Sequence, residues 1–436
     1  MLSKALVDQI VRYSKKNFQK KKFVPGVSPV PVSGKVFDEK ELLSGVEAVL
    51  DGWWTEGRFA LEFEREFGKF LGVKYVSLVN SGSSANLVAL TSLTSKIFRD
   101  RALMPGDEVI SVGTGFPTTV NPTLQNRCTA VLLDNDLVTK NVNPKDLEKA
   151  ITPKTKVIMM AHTLGNLMPL DDIMALVEKH KLWFIEDCCD ALGGEYKGKL
   201  AGTFGHIATF SFYPAHQITM GEGGAVVTNN HMIHRAIRQF RDWGRDCWCD
   251  TGKDNTCGMR FGWKLGELPY GYDHKYTYSQ IGYNLKLTDM QASLGLAQLK
   301  KLKGFIKKRR ENFAALHLFF TKYQDYFILP EPLVGAKPSW FGFPLVVKDG
   351  APFAKLELVK YLENHKIATR SIFAGNLTRH PAYLNRPDIR KVEDLTNSDK
   401  LMNDAFWIGV YPGITPPMIT YIKTIVESFL SKHLHH

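Results

Sequence analysis

Between about Tyr75 and Asn229, short apolar runs recur, and the stretches between them place apolar residues at helical spacing. The runs are Tyr75 to Val79, Val109 to Val112, Ala130 to Leu133, Val157 to Met160, Trp183 to Ile185, Ala208 to Phe212 and Gly224 to Val227. Runs that are apolar on both faces, rather than alternating, predict strands covered on both sides. Strand–helix alternation at this spacing predicts an α/β domain built on a mostly parallel sheet. Ligands of such a sheet bind beyond the strand C-termini.

After Asp246 the periodicity stops, and residues 246–283, rich in Gly, Asp, Trp and Tyr, read as one long irregular segment. Segments of that kind are usually functional. From Thr288 a helical pattern resumes through Met290, Leu294, Leu296, Leu299 and Leu302 and leads toward a smaller C-terminal α+β domain. The expected division is an N-terminal arm over 1–34, a large cofactor-binding domain over 35–290 and a small domain over 291–436. No run of eighteen apolar residues occurs, and the stretch from Met1 to Lys22 is studded with lysines and lacks an apolar core before a small-residue cleavage site. The expectation is a cytoplasmic protein with no membrane association.

Composition narrows the function. With 44% hydrophobic and 23% charged residues, the chain is neither disordered nor a small disulfide scaffold. The net charge of +12 lies mainly in two patches, Lys15, Lys16 and Lys20 to Lys22, and Lys300 to Arg310. No nucleic-acid-binding signature accompanies them, so nucleic acid is not expected as a partner; a small phosphorylated substrate suits the same surplus. Five of the six cysteines fall in two clusters, which in a cytosolic protein points to metal or redox chemistry rather than disulfides.

Three stretches carry candidate chemistry. Tyr75-Val-Ser-Leu-Val-Asn-Ser-Gly-Ser-Ser-Ala-Asn86 reads as a strand, a tight turn and a helix starting near Ser83, whose free N–H groups and hydroxyls suit a phosphate. Trp183-Phe-Ile-Glu-Asp187 is an apolar strand ending in carboxylates at the expected cleft, where an Asp either caps a helix or pairs with a protonated pyridine nitrogen. Ala208 to Gly224 runs from a strand through a turn bearing Ser211, Tyr213 and His216 into Gly-Glu-Gly-Gly and a further strand.

In this order the three stretches resemble the DegT/DnrJ/EryC1/StrS family of sugar aminotransferases and dehydratases. These are fold-type I, aspartate aminotransferase-like enzymes dependent on pyridoxal phosphate (PLP). The likeness runs from roughly Leu42 to Pro412 and includes Trp53 to Gly57, Ala150 to Lys156, His162 with Gly165-Asn166, Gly282-Tyr-Asn284 and Phe373 to Arg379. The resemblance implies that Gly82, Ser83 and Ser211 hold the cofactor phosphate, Phe116 stacks on the ring and Asp187 pairs with its nitrogen. It also implies that Asn284 reaches the cofactor phosphate of a neighbouring subunit in a homodimer.

His216 stands where the family's aminotransferases carry the lysine that binds the cofactor covalently. Imidazole cannot make that bond but can move a proton at neutral pH. Pyridoxamine phosphate (PMP), held non-covalently, then becomes the expected form, and dehydration the expected chemistry, with His216 and Asp187 as catalytic groups. Tyr213 and Asp190, which the resemblance also makes cofactor contacts, depart from the aminotransferase pattern in the same direction. The alternative is a structural histidine in an inactive homologue.

Cys189, Cys247, Cys249 and Cys257 have the spacing Cys-x57-Cys-x1-Cys-x7-Cys. Four thiolates hold either a [2Fe–2S] cluster or zinc, but the paired Cys-x2-Cys knuckles usual for zinc are absent. At about 3.3 Å per strand residue, Cys189 should lie within roughly 7 Å of Asp187, Cα to Cα. Together with His216, this spacing resembles the family's PMP- and [2Fe–2S]-dependent branch. That branch removes the C3 hydroxyl from a CDP-linked 4-keto-6-deoxyhexose in 3,6-dideoxysugar biosynthesis.

The resemblance further implies a nucleotide-diphosphosugar substrate and a separate NAD(P)H-dependent flavin or iron–sulfur reductase, with Phe341, Arg370 and Arg379 as candidate substrate contacts. Other readings are a reductase-independent GDP-4-keto-6-deoxymannose 3-dehydratase, a sugar aminotransferase, or a zinc-bound interaction protein on the same fold.

Overall fold

The computed structural model describes residues 2–18 and 22–434; Lys20 and Lys21 of the N-terminal basic run, with Met1, His435 and His436, lie outside the described residues. The apolar runs form the strands β1 (Tyr75–Val79), β2 (Glu108–Val112), β3 (Thr129–Leu133), β4 (Thr155–Ala161), β5 (Trp183–Asp187), β6 (Ile207–Ser211) and β7 (Gly224–Thr228). They lie in the order β1-β7-β6-β5-β4-β2-β3, with Ile389–Lys391 completing an eight-stranded sheet beside β3. Only β7 runs against its neighbours. The fold is therefore α/β with a mostly parallel sheet. Val109, Ile110, Val157, Ile158, Phe184 and Ile185 have no exposed surface, because helices cover both faces.

A smaller antiparallel sheet takes Phe327–Ile328, Gly342–Val347, Ala405–Gly409 and Thr369–Arg370 from the C-terminal part of the chain. Helices Lys355–Asn364 and Pro416–Leu434 pack with it through Leu358, Leu362, Ile422 and Val426. The helical pattern after Thr288 divides in two, Asp289–Leu299 and then Leu302–Phe320. Residues 246–283 hold no regular element beyond the short turn His274–Tyr276. Among the described residues no helix is long and apolar enough to cross a membrane.

A buried charge network fastens β1 to its surroundings. Arg241, at the end of the helix His231–Arg241, is 1% exposed and pairs with both oxygens of Glu56, at 2.6 and 3.0 Å, and with Asp242 at 3.0 Å, while donating to Leu78 O. Thr251 of the irregular segment also donates to Glu56. Burial, followed by the charge of Glu56, pushes the neighbouring Glu64 carboxyl up to about 7. A carboxyl that binds its proton more tightly in the folded state stabilises the fold below its unfolded value and loses that contribution as pH rises through its folded value. Substituting Glu64→Gln should therefore leave stability near pH 4.5 little changed. It should raise stability relative to the parent progressively up to about pH 7, as read by thermal unfolding across that range.

Candidate active site

The C-terminal ends of β1, β5 and β6 meet at a cavity of about 740 Å³, within the range of small-ligand sites. At the end of β1, Ser81 caps the helix Gly82–Ser92, its Oγ accepting from Ser84 N at 3.1 Å. The first-turn N–H groups of Gly82 and Ser83 have no acceptor among the described residues, which suits an anion. A Cβ on Gly82 would stand 2.5 Å from Ser211 Cβ and 3.1 Å from Cys189 Sγ, so only glycine lets this turn approach the end of β6. Ser211 Oγ accepts from Tyr213 N. Substituting Gly82→Ala should overpack this junction by about 1–3 kcal/mol. The expected result is roughly ten- to hundredfold weaker cofactor binding, measured by equilibrium titration.

Strand alternation sends the two carboxylates of β5 to opposite faces. Glu186 turns inward, where it accepts amide N–H groups of Gly202, Phe204 and Gly205 and has a structural role. Asp187 faces the cavity. Its Oδ2 accepts from Asn86 Nδ2 and Thr119 Oγ1, each at 2.7 Å, and its Oδ1 from Cys189 N at 3.1 Å. Thr209 in turn donates to Asn86 Oδ1 at 2.6 Å. Asn86, Thr119 and Thr209 are polar positions on otherwise buried elements, and sequence reasoning missed them. They hold the carboxylate in one orientation.

His216, on the turn after β6, has 14% side-chain exposure, and burial, followed by the Arg309 charge, pushes its imidazole down to about 3. It is neutral at physiological pH. Its Nδ1 has no hydrogen-bond partner and stands 3.5 Å from Asp190 Oδ1, beyond an ordinary hydrogen bond. Burial, then the charge of Asp187, pushes Asp190 up to about 8. Phe116, at the start of the helix Pro117–Gln125, and Tyr213 line the cavity with half their surface exposed.

The remaining candidate residues divide. Phe341 and Arg370 line the cavity, and so do His380, Tyr383 and Trp407, which had no sequence signal. Arg379 does not; its guanidinium is paired with Asp399. Asn284 is exposed outside its own chain's cavity and accepts from Lys286 Nζ at 3.0 Å.

Cys189 lines the cavity, where burial and Asp187 push its thiol well up. Cys247 and Cys249 are adjacent in the irregular segment, Cys249 N donating to Cys247 Sγ at 3.5 Å. Burial pushes the Cys249 thiol up, but contacts with Thr256 and Cys247 outweigh it and hold the thiol below its usual range. Cys257 Sγ accepts from Met259 N. All six cysteines are free, and among the described residues no three of these four sulfurs converge as ligands of a single ion. The group that does is His162, Glu186 and Cys188, fully buried and engaged in the hydrogen bonding of β5.

A phosphate cradle with unpaired N–H groups, an oriented carboxylate and exposed aromatic faces on one cavity fit a pyridoxal-type cofactor. A model of the DegT/DnrJ/EryC1/StrS aminotransferase family matches residues 37–427. The chain belongs to this family. It is 52% identical to the lipopolysaccharide biosynthesis protein RfbH of Salmonella typhimurium, over 96% of each chain. It is 48% identical to the dTDP-4-dehydro-2,6-dideoxy-D-glucose 3-dehydratase of Saccharopolyspora spinosa, over 94% of this chain and 88% of that one.

The solved structure of Escherichia coli GDP-4-keto-6-deoxy-D-mannose-3-dehydratase with bound hydrated PLP superposes with a TM-score of 0.80 at 27% identity, covering 91% of this chain and 98% of that one. The protein is thus an enzyme of the PLP-dependent, nucleotide-sugar-modifying class of deoxysugar biosynthesis, a 3-dehydratase or an aminotransferase, and its cofactor is PLP or PMP.

Proposed function

We propose that this family member is a PMP-dependent 3-dehydratase acting in the cytoplasm on a nucleotide-linked 4-keto-6-deoxyhexose, the CDP-linked sugar first among them, in 3,6-dideoxysugar biosynthesis. The observation that carries this reading is His216, a neutral imidazole with an unpartnered nitrogen at the cavity, where the family's aminotransferases carry lysine. Bound there, PMP supplies an amine for the ketone of the sugar and a ring that withdraws electrons.

The N–H groups of Gly82 and Ser83, with Ser211, receive the phosphate. Asp187, locked by Asn86 and Thr119, keeps the ring nitrogen protonated. Phe116 and Tyr213 cover the ring. His216 takes a proton from the cofactor C4′ carbon and returns it to the departing C3 hydroxyl. Asp190, which carries a proton at neutral pH, stands 3.5 Å from His216 Nδ1 and adds no negative charge beside Asp187. Phe341 borders the sugar and Arg370 the diphosphate, while Arg379, engaged by Asp399, contributes at most after release from that pair. In a homodimer, Asn284 serves the partner's cofactor phosphate.

Completing the deoxygenation takes two electrons. The same reading assigns Cys189, Cys247, Cys249 and Cys257 to a [2Fe–2S] centre served by a separate NAD(P)H-dependent flavin or iron–sulfur reductase. Four free thiols, with Cys189 at the cavity, support the assignment. A second reading, in which dehydration proceeds without a reductase, draws on the likeness to GDP-4-keto-6-deoxy-D-mannose 3-dehydratase.

A ketosugar labelled with heavy oxygen at C3 should release the label as water in proportion to bound PMP, and retention of the label would refute dehydration. For the cluster, about two irons and two sulfides per chain, with a paramagnetic signal after dithionite reduction, are expected. Zinc, or no metal after anaerobic reconstitution, would leave the reductase-independent route.

A further inference from the structure

Arg309 carries a buried charge that no step above uses. It projects from the helix Leu302–Phe320 with no exposed surface, and among the described residues no carboxylate forms an ion pair with it. Burial draws its guanidinium down to about 10, with Asp190 opposing the shift, so it remains a cation at neutral pH. Its partners are four main-chain carbonyls. Nη1 donates to Trp340 O at 3.1 Å and Phe341 O at 3.2 Å, and Nη2 to Ala215 O at 3.2 Å and His216 O at 2.9 Å.

Those carbonyls belong to two segments that meet only through folding: the turn after β6 and the lead-in to the strand Gly342–Val347. Each segment places a side chain at the cavity. The rings of His216 and Phe341 stand 5.1 Å apart, and the guanidinium carbon of Arg309 lies 5.9 Å from the Phe341 ring centre. Arg310 extends the grip along the second segment through Lys337 O at 2.8 Å and Pro338 O at 3.0 Å, and it also holds Gly193 O.

Burying a cation against neutral dipoles alone is costly, and an apolar residue of similar volume would serve packing as well or better. What a guanidinium adds is a rigid planar fork that addresses two pairs of acceptors at once, which a lysine ammonium cannot reproduce. We propose that Arg309 is a positioning residue: it locks the main chain beneath His216 and Phe341 together, fixing where the imidazole stands over the cavity. The proposal rests on His216 being the base of the reaction.

Substituting Arg309→Met should lower kcat about a hundredfold, the cost of a misplacement near 1 Å. The Kd for PMP should stay within about threefold, because the cradle and Asp187 are untouched, and the KM for the sugar, which Phe341 borders, should change far less than kcat. Arg309→Lys, which keeps the charge and loses the fork, should not restore kcat, and it carries the same readings should the Met variant fail to fold. In protein carrying nitrogen-labelled histidine, the His216 ring signal, identified through His216→Asn, should shift and broaden in both variants while the other histidine signals hold. Full recovery with Lys, a loss of PMP affinity or a rise in KM as large as the fall in kcat, or an unmoved His216 signal would overturn the proposal. If the parent itself dehydrates no sugar, the base assignment fails, and the His216 signal still reports independently whether Arg309 holds the ring in place.

Discussion

Replacing His216 with asparagine should lower the dehydration rate by about 10²–10⁴, the range that a positioned acid–base group contributes. PMP affinity should stay within a few-fold of the parent, because the phosphate cradle of Gly82 and Ser83 and the Asp187 carboxylate make no hydrogen bond to His216. The pH profile gives a second reading. An imidazole pushed down to about 3 is already unprotonated across the neutral range, so the acid limb of kcat/KM should lie well below the usual histidine value. A limb near pH 6.5 would mean that the ring is solvated in solution. His216→Lys should gain covalent attachment of PLP, detected as added mass after borohydride reduction, which the parent should not show.

Substituting Arg241→Met should destabilise the large sheet by about 3–5 kcal/mol, the cost of removing one partner from a buried ion network. Glu56 would be left as an uncompensated carboxylate, Asp242 would keep only Lys286, and Leu78 O, three residues before the cap Ser81, would lose its Arg241 donor. The irregular segment would suffer as well, because the Glu56 carboxylate that accepts from Thr251 would no longer be held in place. Denaturant unfolding checks the magnitude. The double variant Arg241→Met, Glu56→Met should recover part of the loss, since an apolar pair leaves fewer stranded charges. A single-variant loss below about 1 kcal/mol would show that water reaches the network.

The α/β core was legible because its strands are apolar on both faces, and β1 to β7 fall within two residues of the apolar runs. Asp187 was legible for the same reason, as a carboxylate closing an apolar run. Arg309 was not. Its place in the basic stretch Lys300 to Arg310 grouped it with the surplus charge suited to a phosphorylated substrate, yet Leu302, Ile306, Arg309, Phe313 and Leu316 repeat at helical spacing and are all buried. That periodicity was the available signal.

The edge strand Ile389–Lys391 is short and joins the large sheet from far along the chain, so no local pattern announces it. Residues 246–283 have no period, and the spacing of Cys247, Cys249 and Cys257 says nothing of where their backbone turns. Arg379 shows the limit of motifs carried over from a resemblance: a motif names a residue, while the partner it meets, here Asp399, depends on the fold around it.

The most direct measurement is a single incubation of the PMP-loaded protein with a CDP-linked 4-keto-6-deoxyhexose and excess L-glutamate, followed by mass analysis of the sugar. A 3-dehydratase with His216 as its base predicts loss of the C3 oxygen as water, leaving a 3-deoxy ketosugar that is lighter by one oxygen, with the two electrons supplied by PMP and glutamate and no nitrogen retained in the sugar. A 4-amino sugar accumulating with turnover of glutamate would contradict it and make the protein an aminotransferase.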